Sequence, residues 1–254
     1  MFRVLHADAR KLLFHGGLRE CLLTVTGYLL GFFLLMKLAA HFMGAELYAY
    51  DIHSCYSSFA VFLVTACTLM TTVSDFSDGC IRNKLISGAG RTAVFLSAEI
   101  SGVIQALVLS TVACAESLLL ALPLPDGAVP LTAGDIADLW IVNTLACMAV
   151  AVFTTMLIMV LGGGKSAYMT GIVFAVGTKI VSMEIMDKLY PAQGVCSLSG
   201  TKLALYSFYD RFVPYAYLEM RPHHELWVYL AGSCGMILLS VAAGSLIFNR
   251  KEIQ

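Results

Sequence analysis

The chain has 254 residues, of which 59% are hydrophobic and 13% charged, with a mean hydropathy of +0.80 and a formal net charge of −1. A soluble domain of this composition would expose too much apolar surface to stay dispersed, and a balanced charge offers no global attraction to nucleic acid. The expected solvent is therefore lipid, and the expected fold class is an all-α membrane protein with one membrane domain over 1–254.

In chain order, the first 18 residues come before any long apolar run. Phe2, Leu5, Ala9 and Leu12 recur at three- and four-residue steps while Arg3, His6, Arg10 and Lys11 take other faces, which predicts an amphipathic interfacial helix over 1–18. A basic leader is also common in membrane proteins without such a role. Gly16 and Gly17 are expected to break the helix flexibly before the chain enters the membrane.

Six apolar runs follow, at 21–43, 56–74, 93–122, 139–161, 166–186 and 226–248. Each reaches the roughly 20 residues that a helix needs to cross about 30 Å of hydrocarbon. The third is long enough to tilt or break. Their continuity favours helices over a β-barrel, whose strands alternate in polarity. The first run is too long for a cleavable signal peptide and has no small-residue cleavage site after it, so it is expected to remain.

Lysine and arginine bias sets the orientation. Arg3, Arg10, Lys11 and Arg19 precede the first run, Arg82, Lys84 and Arg91 join the second to the third, Lys165 joins the fourth to the fifth, and Arg250 and Lys251 end the chain. All fall on one side, predicted to be the inside, which puts both termini in. Glu46 and Asp51, then Asp126, Asp135 and Asp138, mark connections that face outward. The last connection, 187–225, is also expected outside, its Lys188, Lys202, Arg211 and Arg221 balanced by Asp187, Asp210, Glu219 and Glu225. It exceeds a simple turn. Leu203, Leu205, Tyr206, Phe208, Tyr209, Phe212, Tyr215 and Tyr217 predict short helices at the outer interface, serving as an aromatic belt or as an outer gate.

The most informative stretch runs from Asp75 through Asp78, Gly79, Ile81, Arg82, Asn83, Lys84, Leu85, Ile86, Ser87 and Gly88 to Arg91. Asp78 and Gly79 can cap a short helix, Ile81, Leu85 and Ile86 would give it an apolar face, and Arg82, Asn83 and Lys84 would offer polar contacts to a partner. Gly88 and Gly90 can end it. This loop resembles the segment between the same two spans in the ABC type 2 permease family, which has an acidic residue, a glycine and a run like "IRNKLISG" followed by an arginine. The ending "SLIFNRKEI" from Ser245 to Ile253 is similar to the family's usual finish.

The resemblance implies a coupling helix seated in a groove of an ATPase subunit, with Asp75, Asp78, Gly79, Ile81, Arg82, Asn83, Lys84, Leu85, Gly88 and Arg91 forming the contact. It implies two ABC ATPase subunits, a second permease subunit that is identical or paralogous, and a multi-pass location in the cell membrane, as in a bacterial plasma membrane. ATP and Mg would belong to the partner, leaving this chain a non-catalytic subunit with no cofactor of its own. Among relatives of this kind, the short chain resembles peptide or lantibiotic export and immunity permeases.

The remaining motifs are weak. Gly164-Lys165-Ser166 imitates the end of a phosphate loop, but Met159 stands where a glycine is required and an apolar helix precedes it. A tight inner turn is the better reading. There is no H-E-x-x-H or G-x-S-x-G, and His223-His224-Glu225 does not place three ligands on one helical face, so no metal site or catalytic residue is expected. The eight cysteines contain no C-x-x-C. Cys21, Cys67, Cys80, Cys114, Cys147 and Cys234 are expected as small packing residues, while Cys55 and Cys196 face outward as a disulfide or as free thiols.

Polar residues inside the runs are costly in hydrocarbon and usually face the bundle interior or water. Glu99 and Gln105 lie in the third, Asn143 in the fourth, Lys179 and Glu184 in the fifth. They would line a path or a subunit interface, or else serve as structural hydrogen bonds. Lys179 and Glu184 are spaced for a loose pair or for contacts with other helices. Lys37 is expected to snorkel, Glu116 to be wetted, and Gly27 and Gly31 to permit close helix packing. The alternative to an exporter subunit is a stand-alone secondary transporter or channel, which predicts internal repeats or glycine- and proline-broken helices around a charged midplane site. An intramembrane enzyme would need a motif that is not present.

Overall fold

A peptide group in hydrocarbon has no water to bond, so a long apolar run is committed to satisfying itself as helix. In a computed structural model that describes residues 2–14, 16–44, 46–124, 132–191, 196 and 198–250, six helices are long and apolar enough to cross a membrane. They are α2 (Gly16–Met43), α3 (Ala49–Ser77), α5 (Arg91–Ala121), α6 (Ala133–Leu161), α7 (Lys165–Leu189) and α9 (Leu226–Arg250). Shorter helices are α1 (Phe2–Phe14), α4 (Cys80–Ile86) and α8 (Gly200–Phe212), with a 3-10 turn at Ala216–Leu218. No strand occurs among the described residues. The architecture is that of a multi-pass membrane protein. Asp126, Lys251 and the last part of the closing motif lie outside the described residues.

Two helices begin more than a turn earlier than their apolar runs because their entries are capped. The Tyr48 amide donates to Asp51 Oδ2 at 3.0 Å before α3. Before α6, the Asp135 amide donates to Thr132 Oγ1 at 3.2 Å while the Thr132 amide donates to Asp135 Oδ2 at 2.9 Å, a reciprocal box. α5 is continuous, without the break its length allowed. Gly16 and Gly17, expected as a flexible break, are the first residues of α2, and a Cβ on Gly17 would stand 3.3 Å from Thr71 Cγ2 of α3, so the second glycine serves a close helix approach.

The bundle is built around α6, which packs against α3, α5 and α9. Ala146, Cys147, Ala149, Val150, Ala151 and Val152 are all buried there. Small residues let backbones approach, and α5 answers with Gly102, where a Cβ would lie 2.9 Å from Thr155 Oγ1. α9 answers with Gly244, where a Cβ would meet Phe95 Cζ at 2.5 Å and Met156 Cγ at 2.6 Å. α2 lies at the edge and leaves Leu23, Leu34, Leu35 and Leu38 exposed. Gly27 and Gly31 on it have no neighbour within 4 Å, so the close packing they permit is not made inside the chain.

Cys21 and Cys67, expected as thiols filling space, are instead disulfide-bonded across α2 and α3, with Cα atoms 5.8 Å apart. Cys55 and Cys196 are unpaired. Between α6 and α7 the chain turns through Gly162 (φ +88°) and Gly163 (φ +71°), where a Cβ on Gly163 would overlap the Phe76 ring. That turn has the shape of a helix connection, not a phosphate cradle.

Gly244→Ala is expected to destabilise the protein by about 1–3 kcal/mol through overpacking, read as a lowered unfolding temperature in detergent. Gly235→Ala on the same helix, which has no neighbour within 4 Å, should leave that temperature nearly unchanged.

Candidate functional site

The α3–α4–α5 connection is a backbone device before it is a set of side chains. The Asp78 amide donates to Ser74 O at 2.8 Å, so Asp78 closes α3 instead of capping α4. Gly79, at φ +68°, breaks the two helices apart and is itself the residue that precedes α4. Gly88, at φ +88°, ends α4, and the Ala89 amide donates back to Lys84 O at 3.1 Å. Gly90 then begins α5.

The apolar face of α4 is narrower than the one expected. Ile81 is 2% exposed and packs with Phe95, Met159 and Phe248, and Leu85 lies against the same cluster. Ile86, one residue further round, is 73% exposed and does not belong to the apolar face. Arg82, Asn83 and Ser87 are exposed with it. Arg91 donates to the Asn249 carbonyl at 3.2 Å, and Thr92 and Asn249 exchange side-chain bonds at 3.2 and 3.0 Å, which ties the start of α5 to the end of α9.

Lys84 and Asp75 have ion-pair partners within the chain. Lys84 Nζ lies 2.5 Å from Asp8 Oδ1 of α1, and Asp8 Oδ2 accepts from Ser97 Oγ at 2.5 Å. Lys11 of α1 bonds Asp75, stands 3.7 Å from Asp78 and donates to Cys80 Sγ at 3.5 Å. Burial alone would lower the Lys11 ammonium, but the hydrogen bond and charge of Asp75 hold it above its ordinary value. The buried stripe of α1 thus includes Asp8 beside Leu12, so this helix turns charge inward as well as apolar surface. Beneath it is a cavity of about 290 Å³ lined by Lys11, Glu20, Thr71, Asp75, Ser101 and Gly102, among others.

The polar residues of the spans do not converge. Glu99 is 3% exposed on α5 with neither carboxylate oxygen bonded. Gln105 accepts from Thr71 Oγ1 at 3.2 Å, and Asn143 donates to Ser57 Oγ at 2.5 Å. Lys179 and Glu184 do not pair: Lys179 Nζ is 2.6 Å from Glu219 Oε2, and Glu184 pairs with Lys188 one turn on. Burial pushes the Glu219 carboxyl up, against the pull of Lys179. Glu116 is half-buried instead of wetted, accepting from Thr26 Oγ1 at 2.5 Å with Oε2 buried and unbonded. Lys37 is exposed, 5.9 Å from the Phe33 ring centroid.

At the opposite end, α8 exposes Leu205 and Phe208 while Tyr215 and Tyr217 are buried. Here the structure gathers residues that the sequence kept apart. Asp210 of α8 lies with His223 and His224, whose ligand atoms all fall within 4.8 Å of one another. His223-His224 was visible as a dipeptide, but its third member stands 13 residues upstream on a separate helix. No protein-family model matches the chain, and no curated protein matches it.

Removing one partner of a buried ion pair leaves the other charge uncompensated, at a cost of about 3–5 kcal/mol. Lys84→Ala is expected to release α1, read as faster amide hydrogen exchange across Phe2–Phe14 and a lower unfolding temperature, whereas Lys188→Ala should change neither.

Proposed function

We propose that this chain is the permease subunit of an ATP-driven ABC exporter of the type 2 class, forming half of a translocation path and coupling to a separate ATPase subunit. The observation that carries the reading is the two-sidedness of α4. Its inner face, Ile81 and Leu85, is fixed in the bundle, while Arg82, Asn83 and Ile86 stand free at the bundle end. A short helix held from behind and open in front can receive a push from a partner and pass it to α5 and α9. The resemblance of 75–91 to the family's coupling segment supports the same assignment.

On this reading both termini and α4 are cytoplasmic, α1 lies at the inner interface, and α8 lies at the outer one. Two ATPase subunits act on two permease subunits in a plasma membrane of bacterial type, and the cargo is a peptide or lantibiotic. The exposed side of α2 faces lipid or the second permease subunit.

A stand-alone secondary transporter or channel is the second reading, favoured by Glu99, a carboxyl buried in the bundle with no hydrogen-bond partner. Co-expression with an ATPase encoded beside it separates the two. Wild type should recover the ATPase on purification and raise its activity. Arg82→Ala with Asn83→Ala should abolish both while the unfolding temperature stays unchanged, since both side chains are exposed. Failure of wild type to bind any such ATPase would remove the exporter reading and leave the stand-alone one.

A further inference from the structure

Asp210 is a carboxylate in the last turn of α8, 2% exposed, and its two oxygens are treated unequally. Oδ2 meets Tyr190 Oη at 2.8 Å, His224 Nε2 at 2.8 Å and His223 Nε2 at 3.3 Å. Oδ1 is buried with no partner at all. An acceptor taken out of water and left unbonded is costly, which favours a cationic partner at this carboxylate. Burial would raise this carboxyl, but the bonds from His223, Tyr190 and His224 hold it below its ordinary value. The Asp210 hydrogen bond in turn raises His223.

The imidazoles are held before any ligand arrives. Backbone amides of both His223 and His224 donate to Tyr229 Oη, at 2.8 and 3.0 Å. His223 Nδ1 lies 3.1 Å from the Arg221 carbonyl, which keeps a proton on Nδ1, so that Nε2, 3.3 Å from Asp210 Oδ2, is the nitrogen that presents a lone pair once an ion displaces its proton. Metal-binding histidines are oriented by this kind of outer bond. Exposure rises from the floor outward: Asp210 is buried, His224 is partly buried and His223 is the most open, which gives an ion a way in.

We propose that Asp210, His223 and His224 form a binding site for a transition-metal ion of the zinc class. Two imidazole nitrogens with one carboxylate suit that borderline cation, whereas magnesium and calcium favour all-oxygen sets. The ion takes both Nε2 lone pairs and a carboxylate oxygen, and protons held on Nε2 leave to solvent. With three protein ligands a fourth position is left for water, and Tyr190 Oη, 3.0 Å from His223 Nε2 and 2.8 Å from Asp210 Oδ2, borders the site. Bound there, the ion ties α8 to the strand of chain that enters α9. This site is independent of the coupling role of α4.

The test uses the full chain in detergent, purified without a histidine tag and stripped with a chelator. Titration with cobalt chloride should give one equivalent of uptake with the visible absorption of a tetrahedral site, zinc chloride should displace it and raise the unfolding temperature, and magnesium chloride should do neither. His223→Gln with His224→Gln should lose the cobalt spectrum and the zinc-dependent rise while still eluting as a folded protein in size exclusion. If that double variant does not fold, His223→Gln alone, the most exposed position, must weaken uptake by at least about tenfold. Absence of cobalt and zinc uptake by wild type at micromolar concentration, or equal uptake by a folded variant, overturns the proposal.

Discussion

Close approach to α6 is the constraint on which the other helices depend. In lipid there is little hydrophobic gain from pressing one apolar helix on another, so association relies on van der Waals contact and on interhelical hydrogen bonds. The run of buried alanines and valines from Ala146 to Val152 provides the first. Ser110 and Thr144, sharing a bond at 2.6 Å between α5 and α6, and Asn143 on Ser57 of α3 provide the second. α5, α9 and α3 are thereby fixed around α6, and the short helices at each end inherit their positions from these four.

At the α1/α4 end the glue changes from packing to charge. Asp8, Lys11, Asp75 and Lys84 form alternating pairs that bind α1 over the mouth of a cavity between α2, α3 and α5. Buried pairs of this sort add less to stability than hydrophobic replacements would, but they fix one arrangement, because any misregistered α1 would strand a charge. The result is an end in which some of the basic residues have been consumed internally. Lys84 belongs to that group, and Arg82 and Asn83 do not.

Much of this was legible in the residues, and the illegible part has a consistent cause. Apolar runs reported the six long helices because hydrocarbon leaves a backbone no other option. Thr132 with Asp135 spells a capping pair in the sequence, yet it precedes a stretch containing Asp138 that hydropathy alone does not count as span. In α4 Ile81 and Leu85 stand about 40° apart round the helix while Ile86 is about 100° beyond Leu85, so the bundle buries the narrow face and leaves Ile86 out of it. Lys179 could pair with Glu184 or reach outside its own helix, and it does the second, meeting Glu219 40 residues away. The Cys21–Cys67 bond and the meeting of Asp210 with His223 and His224 are likewise long-range pairings. Local pattern cannot announce any of them, because each exists only once segments distant in the chain have packed.

α9 is the element that relates the two ends. At one end Phe248 packs on Phe95, at 5.9 Å between ring centroids, within the cluster that holds Ile81, and Asn249 is tied to Thr92. At the other end Gly232 lies so close to Tyr217 and to the Phe212 carbonyl that a Cβ would stand 2.7 Å from that oxygen, and Tyr229 holds the His223-His224 backbone. A helix is stiff along its axis, and its contacts here are too tight to absorb displacement by sliding. On the proposed reading that an ATPase presses on α4, α9 is the element in contact with both that end and the turn beside α8, and the close contacts at Gly244 and Gly232 seat it at each.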